Sequence, residues 1–312
     1  MKLTTFIYDN KKRIGHLCGD IDDCNYIHKG YVVDISNSFD YVDMLDFIKK
    51  DGINNTEVKE YICSDKVKKY PLSEVSLIAP INPRSLRDAY AFRQHVETSR
   101  KNRGLEMIEE FDNFPVYYYS SVDGIVGPGD LKVDDIFMKN LDFELEVAVV
   151  ISKEGKNISC NEADDYIAGF TIMNDFSARD LQMQEMKLNL GPAKGKDFAT
   201  SMGPVIVTPE ELSSVTKKTP NGNQYRLDME CFINDKKFSY DNLENMSWTF
   251  AQILERISMG TTIYPGDVIG SGTCATGCFL ELNQKNNEEW LRSGDKVELR
   301  VDKLGTLTNR IL

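Results

Sequence analysis

The chain has 312 residues, with 37 Lys and Arg against 49 Asp and Glu, a formal net charge of −12. Hydrophobic residues make up 41% and charged residues 28%, which excludes disordered and fibrous classes and leaves one large or two smaller globular domains. An acidic surface repels phosphate backbones and anionic bilayers, and the short basic clusters (Lys49-Lys50, Lys66-Val-Lys-Lys69) read as solvated faces. Neither nucleic acid nor membrane is therefore an expected partner.

Seven cysteines, at 18, 24, 63, 160, 231, 274 and 278, include no Cys-x-x-Cys. That excludes a disulfide framework or zinc ribbon and fits a reducing compartment. Cys274 and Cys278 lack partners for a tetrahedral site and read as small buried hydrophobes. No apolar stretch is long enough for a signal peptide or a membrane span, so a cytoplasmic protein is expected.

In chain order, residues 3–8 and 30–35 are β-favouring runs, and residues 41–48 form a short amphipathic helix behind a Ser38 cap. Residues 77–83, Leu-Ile-Ala-Pro-Ile-Asn-Pro, read as an extended connector. The pattern thus predicts a small β-rich unit over 1–78 and a larger domain over 79–312. In the larger part, residues 85–101 read as a helix opened by a capping box of Ser85 and Asp88. Residues 143–151 and 167–173 are apolar strands, the second running into Asn174-Asp175. Residues 181–188 form a helix with Asp180 as its capping acid, and residues 249–258 form a helix stopped by Gly260. Strands dominate, with helices on the margins, so an α+β, β-rich fold is expected.

The run Asp142-Phe-Glu-Leu-Glu-Val-Ala-Val-Val150 carries the most chemical information. Side chains on a strand alternate, so Glu144 and Glu146 share one face. Two carboxylates side by side in an apolar strand need either open water or a cation. Asp175, where a strand runs into a helix, could complete an all-oxygen set, which suits Mg²⁺ or Mn²⁺. His16 and His28 read as surface residues. His95 would share a helical face with Asp88, although a lone helical histidine is more often structural. Leu190-Gly-Pro-Ala-Lys-Gly-Lys-Asp-Phe198 is not a Walker loop, but a lysine there could neutralise a substrate carboxylate. Gly270-Ser-Gly-Thr273 and the residues to Glu281 read as a glycine-rich turn followed by a strand.

Taken in order, Arg-Gln-His95, Asp-Phe-Glu-Leu-Glu146, Met-Asn-Asp-Phe-Ser-Ala-Arg-Asp-Leu-Gln182, Gly-Pro-Ala-Lys-Gly-Lys-Asp-Phe198, Gly-Pro-Val-Ile-Val207 and Gly-Ser-Gly-Thr273 resemble the fumarylacetoacetate hydrolase family, across residues 80–312. The resemblance implies a mixed β-sandwich roll and a homodimer. It also implies a divalent metal (Mg²⁺ or Mn²⁺, with Ca²⁺ a third candidate) held by Glu144, Glu146 and Asp175, with Asp88 as a further ligand. His95 paired with Glu281, together with Lys196, would be catalytic. Tyr90, Arg103 (rather than Arg100), Gln182, Thr200 and Thr273 would contact a small keto-acid substrate. One departure is Phe-Pro-Val-Tyr-Tyr-Tyr-Ser-Ser121, which lacks the basic residue many members carry there. The leading expectation is metal-dependent C–C hydrolysis of an acylpyruvate or related 1,3-dicarbonyl acid, His95 activating water. The alternatives are decarboxylation or isomerisation of oxaloacetate-like or unsaturated 2-keto acids, and, less favoured, a non-catalytic metal-binding domain.

Overall fold

The computed structural model describes residues 1–22, 29–189, 191–283 and 289–312. Cys24, His28 and Leu190 lie outside the described residues. Among the described residues no helix is long and apolar enough to cross a membrane.

A large sheet forms the spine. Its path runs through the strands Lys69–Pro71, Tyr31–Asp34, Lys11–Cys18, Lys2–Tyr8, Thr200–Val207, Ile167–Asp175, Leu145–Ile151, Val268–Gly270, Leu86–Ala89 and Tyr117–Ser120. The first strands of the chain thus extend the sheet of the larger part, through Leu3 opposite Ile206. A second sheet is built from Lys236–Asn242, Asp228–Ile233, Lys296–Val301, Gly305–Ile311 and Gly129–Leu131.

The central strands are apolar on both faces because both faces are covered. Leu145, Val147, Val149 and Phe170 pack toward Met229, Cys231, Leu299 and Leu307 of the second sheet. Ala148, Val150, Met202 and Val268 pack with Met44, Phe47 and Ile48 of the N-terminal helix Met44–Lys49. This α+β, strand-rich sandwich is the fold class expected from the sequence.

Several local expectations are corrected. Residues 85–101 are not one helix. The chain forms the strand Leu86–Ala89, then the helix Arg93–Asn102. A parallel ladder to Val268–Gly270, remote in sequence, outweighs the local capping signal. Ser85 Oγ caps nothing and instead donates to Asp267 Oδ1 at 2.8 Å. Asp88 and His95 therefore do not share a helical face. The helix Arg179–Met186 has no side-chain cap, and Asp180 accepts from Lys139 Nζ at 2.9 Å and from Gln184. The helix Met44–Lys49 is capped by Asp43, not Ser38. Residues 279–282 form a short helix, not a strand, because Asp142 accepts the Phe279 and Leu280 amides at 2.7 and 3.0 Å. His16 is half-buried rather than a surface residue. Its Nδ1 accepts from the Lys2 amide, and burial with the nearby N-terminal ammonium lowers its pKa to about 4. The helix Phe250–Ser258 keeps the expected site of entry, with Thr249 and Gln252 forming a reciprocal capping box.

Phe170 is fully buried between the layers, its ring 4.6 Å from Tyr225 and 6.0 Å from Phe250. Phe170→Ala should destabilise the protein by about 3–5 kcal/mol, read as a fall in the denaturant midpoint without a change in slope.

Candidate active site

The site forms where six neighbouring strands of the large sheet end together. The register sets Asp175 opposite Thr200, Glu146 opposite Met173, Gly270 opposite Asp88, and Asp88 opposite Tyr118. Glu144 precedes the strand Leu145–Ile151, and its amide donates to Asn174 Oδ1 at 2.9 Å. Donor oxygens of Asp88, Glu144 and Glu146 lie within 4.8 Å of one another. Asp175 joins them through Lys196, whose Nζ donates to Asp175 Oδ2 at 2.8 Å and to Glu144 Oε2. Thr200 Oγ1 donates to the other Asp175 oxygen at 3.1 Å, and the Tyr118 hydroxyl donates to Oδ2.

The glycine-rich turn approaches this cluster closely. The Gly272 amide donates to both Asp88 Oδ1 and Glu146 Oε2 at 3.1 Å, and Thr273 Oγ1 lies 3.5 Å from Glu146. A Cβ at Gly270 would sit 2.3 Å from Asp88 Oδ1 and 2.9 Å from Glu146 Oε2, so a side chain there would push the carboxylates out of place.

Arg179 ties the site to its support. It donates to Asp142 Oδ2 at 2.8 Å, Glu144 Oε1 at 2.7 Å and Gln182 Oε1 at 2.9 Å. With Gln182 Oε1 engaged, the Gln182 amide nitrogen is left as a donor for the cavity it lines. Asp142 in turn holds the start of the Phe279–Leu282 helix, which carries Glu281.

The carboxyl groups face conflicting fields. Burial and then repulsion from Asp175 raise Asp88 to about 7. Burial, followed by Asp88 and Glu144, pushes Glu146 well above the usual carboxylate range. Burial would raise Glu144 too, but Lys196 and Arg179 bring it down to about 2. Burial alone would lower Lys196, yet Asp175 and Glu144 hold it above its ordinary value, so it stays an ammonium. Two buried cations thus face five buried carboxyl groups, counting Asp142. The balance must come from protons or from a further cation. An all-oxygen, buried, net-negative cluster fits a hard divalent ion. Asp88, Glu144, Glu146 and Asp175 are the residues that would hold it.

A cavity of about 240 Å³ opens beside the cluster. Among the expected site residues, Asp88, Tyr90, His95, Arg103, Glu144, Gln182, Lys196 and Thr273 line it, whereas Glu146, Asp175, Thr200 and Glu281 sit behind its walls. Arg103 reaches it, with Nε donating to the Ser99 carbonyl at 3.0 Å. Arg100 is not among its lining residues and is turned to the Glu106 carbonyl. Tyr90 meets the His95 ring edge-on at 5.7 Å, and burial raises its hydroxyl to about 12. His95 Nδ1 lies 3.1 Å from Glu281 Oε1 but outside hydrogen-bond alignment.

Two participants were missed. Tyr118 sits in the very run noted for lacking a basic residue, and its aromatic pattern reads as plain strand. Arg179 lies inside a quoted motif, and only its burial marks it out. Two of the three Lys196 donors go to Glu144 and Asp175, which leaves the third for a ligand in the cavity it lines.

The sequence profile described as fumarylacetoacetate (FAA) hydrolase C-terminal matches residues 85–312, which contain every residue of this site. The chain belongs to that family. It is 33% identical over 245 residues, covering 78% of this chain and 75% of the relative, to the oxaloacetate tautomerase YisK of Bacillus subtilis. It is 31% identical to the mitochondrial oxaloacetate tautomerase Fahd2a of Rattus norvegicus, over 64% of this chain and 59% of that protein. The fumarylacetoacetate hydrolase from Exiguobacterium antarcticum has the same fold, with a TM-score of 0.76 at 23% identity, covering 100% of this chain and 99% of that one.

Because Asp88 and Glu146 titrate higher in the fold than in the unfolded chain, the native state carries extra protons from about pH 4 to about pH 7. Stability of the metal-free protein should fall as pH rises through that window. Saturating Mg²⁺ or Mn²⁺ should raise the melting temperature more at about pH 8 than at about pH 5.5, since the ion competes with those protons. A calorimetric melting series with and without metal checks both signs.

Proposed function

We propose that the protein is a divalent-cation-dependent isomerase that interconverts the enol and keto forms of a small 2-oxo dicarboxylic acid of the oxaloacetate type. The observation that carries this reading is the 33% identity to an oxaloacetate tautomerase over more than three quarters of the chain. The cavity supports it. A volume of about 240 Å³ suits a small acid, and Arg103 brings a cation to the wall for a carboxylate.

A divalent ion at Asp88, Glu144, Glu146 and Asp175 would supply Lewis acidity at the 2-oxo group and orient the substrate. The protein's own groups do the rest. Lys196, kept protonated by Asp175 and Glu144, donates toward the substrate oxygen that gains negative charge. The Gln182 amide nitrogen adds a second donor. His95 takes a proton from C3 of the keto form, the C3–H electron pair becomes the C2–C3 double bond, the C2=O π pair moves onto oxygen, and that oxygen takes a proton from solvent to give the enol, while His95 releases its proton to solvent. The reverse path returns the proton to C3. No water is consumed and no mass is lost.

A second reading, C–C hydrolysis of an acylpyruvate, is favoured by the His95–Glu281 contact at 3.1 Å, which could orient a histidine toward water. In the present arrangement the pair is not aligned for a hydrogen bond.

Purified protein with Mg²⁺ or Mn²⁺ should speed the loss of enol absorbance of freshly dissolved oxaloacetate and exchange its C3 protons with deuterium, without CO₂ release. His95→Ala should lower the rate by about 10²–10⁴-fold. Two acid products from an acylpyruvate would instead establish the hydrolase reading, and CO₂ from oxaloacetate a decarboxylase. Full turnover in His95→Ala would remove its assigned role.

A further inference from the structure

Behind the His95 wall of the cavity lies a second group of donors. Among the described residues, a ligand atom from each of His95, Cys278 and Glu281 falls within 4.8 Å of the other two, and all three residues are buried. The set differs in kind from the carboxylate cluster, since it offers one nitrogen, one sulfur and one oxygen. Hard ions prefer oxygen alone, whereas a thiolate with an imidazole selects a softer ion such as Zn²⁺.

A second observation points the same way. Glu281 is only 8% exposed, yet among the described residues neither of its carboxylate oxygens has a hydrogen-bond partner, His95 Nδ1 standing 3.1 Å from Oε1 out of alignment. His95, 5% exposed, leaves Nδ1 without one as well. A buried carboxylate without an aligned donor is costly and uncommon. The ordinary remedies are turned elsewhere. Arg179 is committed to Asp142, Glu144 and Gln182, and Lys196 to Glu144 and Asp175. Asn102 Nδ2 donates to the backbone carbonyls of Glu281 and Leu280, at 3.0 and 3.3 Å, and not to the carboxylate.

We propose that His95, Cys278 and Glu281 form a second cation site, selective for a thiophilic ion such as Zn²⁺, and that filling it silences the enzyme by taking His95 out of proton transfer. Ligand pairs around tetrahedral zinc stand roughly 3.3–3.8 Å apart, as follows from zinc–nitrogen and zinc–sulfur bond lengths. The existing spread therefore needs only a small closure. On binding, the Cys278 thiol proton leaves to solvent as the sulfur–metal bond forms. His95 lines the cavity, so the ion enters by the substrate's route and a fourth position is left facing it. The same chain would thus take an activating hard ion on its carboxylates and an inhibitory soft ion on the adjoining donors. The binding half of this inference is independent of the proposed reaction, and only the inhibitory half rests on it.

The test uses the full chain with Mg²⁺ in excess, so that the carboxylates are occupied, and Co²⁺ as a spectroscopic substitute for zinc. The expected result is a thiolate-to-cobalt charge-transfer band with tetrahedral visible bands at one equivalent. Cys278→Ser and Cys278→Ala should both lose these bands while keeping the far-ultraviolet circular dichroism of the parent. Their Zn²⁺ affinity should drop by at least about tenfold, the smaller loss seen when even an outer partner of a metal site is removed. Stoichiometric Zn²⁺ should then suppress Mg²⁺-supported turnover in the parent and not in either variant. Absence of the band in the parent would overturn the proposal, leaving His95 and Glu281 as an ion pair only. So would a band undiminished in both folded variants, since other cysteines would then hold the cobalt. A band with no loss of turnover would overturn the inhibitory half alone.

Discussion

Repulsion among buried carboxylates organises this molecule. Asp88, Glu144, Glu146 and Asp175 are brought together by strand register, and burial removes the water that would otherwise separate their charges. Lys196 and Arg179 neutralise the Glu144 side, while Asp88 and Glu146 are left to share protons or to accept a metal. The surrounding features answer to that constraint. Gly270 gives the carboxylates room, the Gly272 amide satisfies two of their oxygens, and Tyr118 and Thr200 hold Asp175 from either side. Buried carboxylates whose charge is only partly compensated fit a cation.

The same frame explains why the family supports several reactions. The carboxylates, Lys196 and Gln182 would serve any chemistry that passes through an enolate of a 2-oxo acid. What differs is the fate of the enolate, which depends on His95 and on what it faces across the cavity.

Much of the site was legible in the sequence, for identifiable reasons. Glu144 and Glu146 stand out because alternation on an apolar strand exposes any charge, and Asp175 because it closes another such strand. The fold class followed from many short β-favouring runs. The environment of Asp88 was misread because its partner strand, Val268–Gly270, lies far along the chain, and the local Ser-x-x-Asp pattern imitates a helix cap. Tyr118 was invisible for a similar reason. A tyrosine in a strand is ordinary, and only the fold carries its hydroxyl to Asp175. Cys278 reads as a small hydrophobe and is indeed buried, but no spacing rule announces that the fold sets it beside His95 and Glu281.

The most direct test of the central claim is anomalous diffraction at the manganese edge from crystals grown with Mn²⁺. The account predicts a single strong peak among Asp88, Glu144, Glu146 and Asp175, within bonding distance of their oxygens. A structure with Mn²⁺ saturating in solution but no peak there, or with the peak elsewhere and Lys196 still lodged between Glu144 and Asp175, would contradict it.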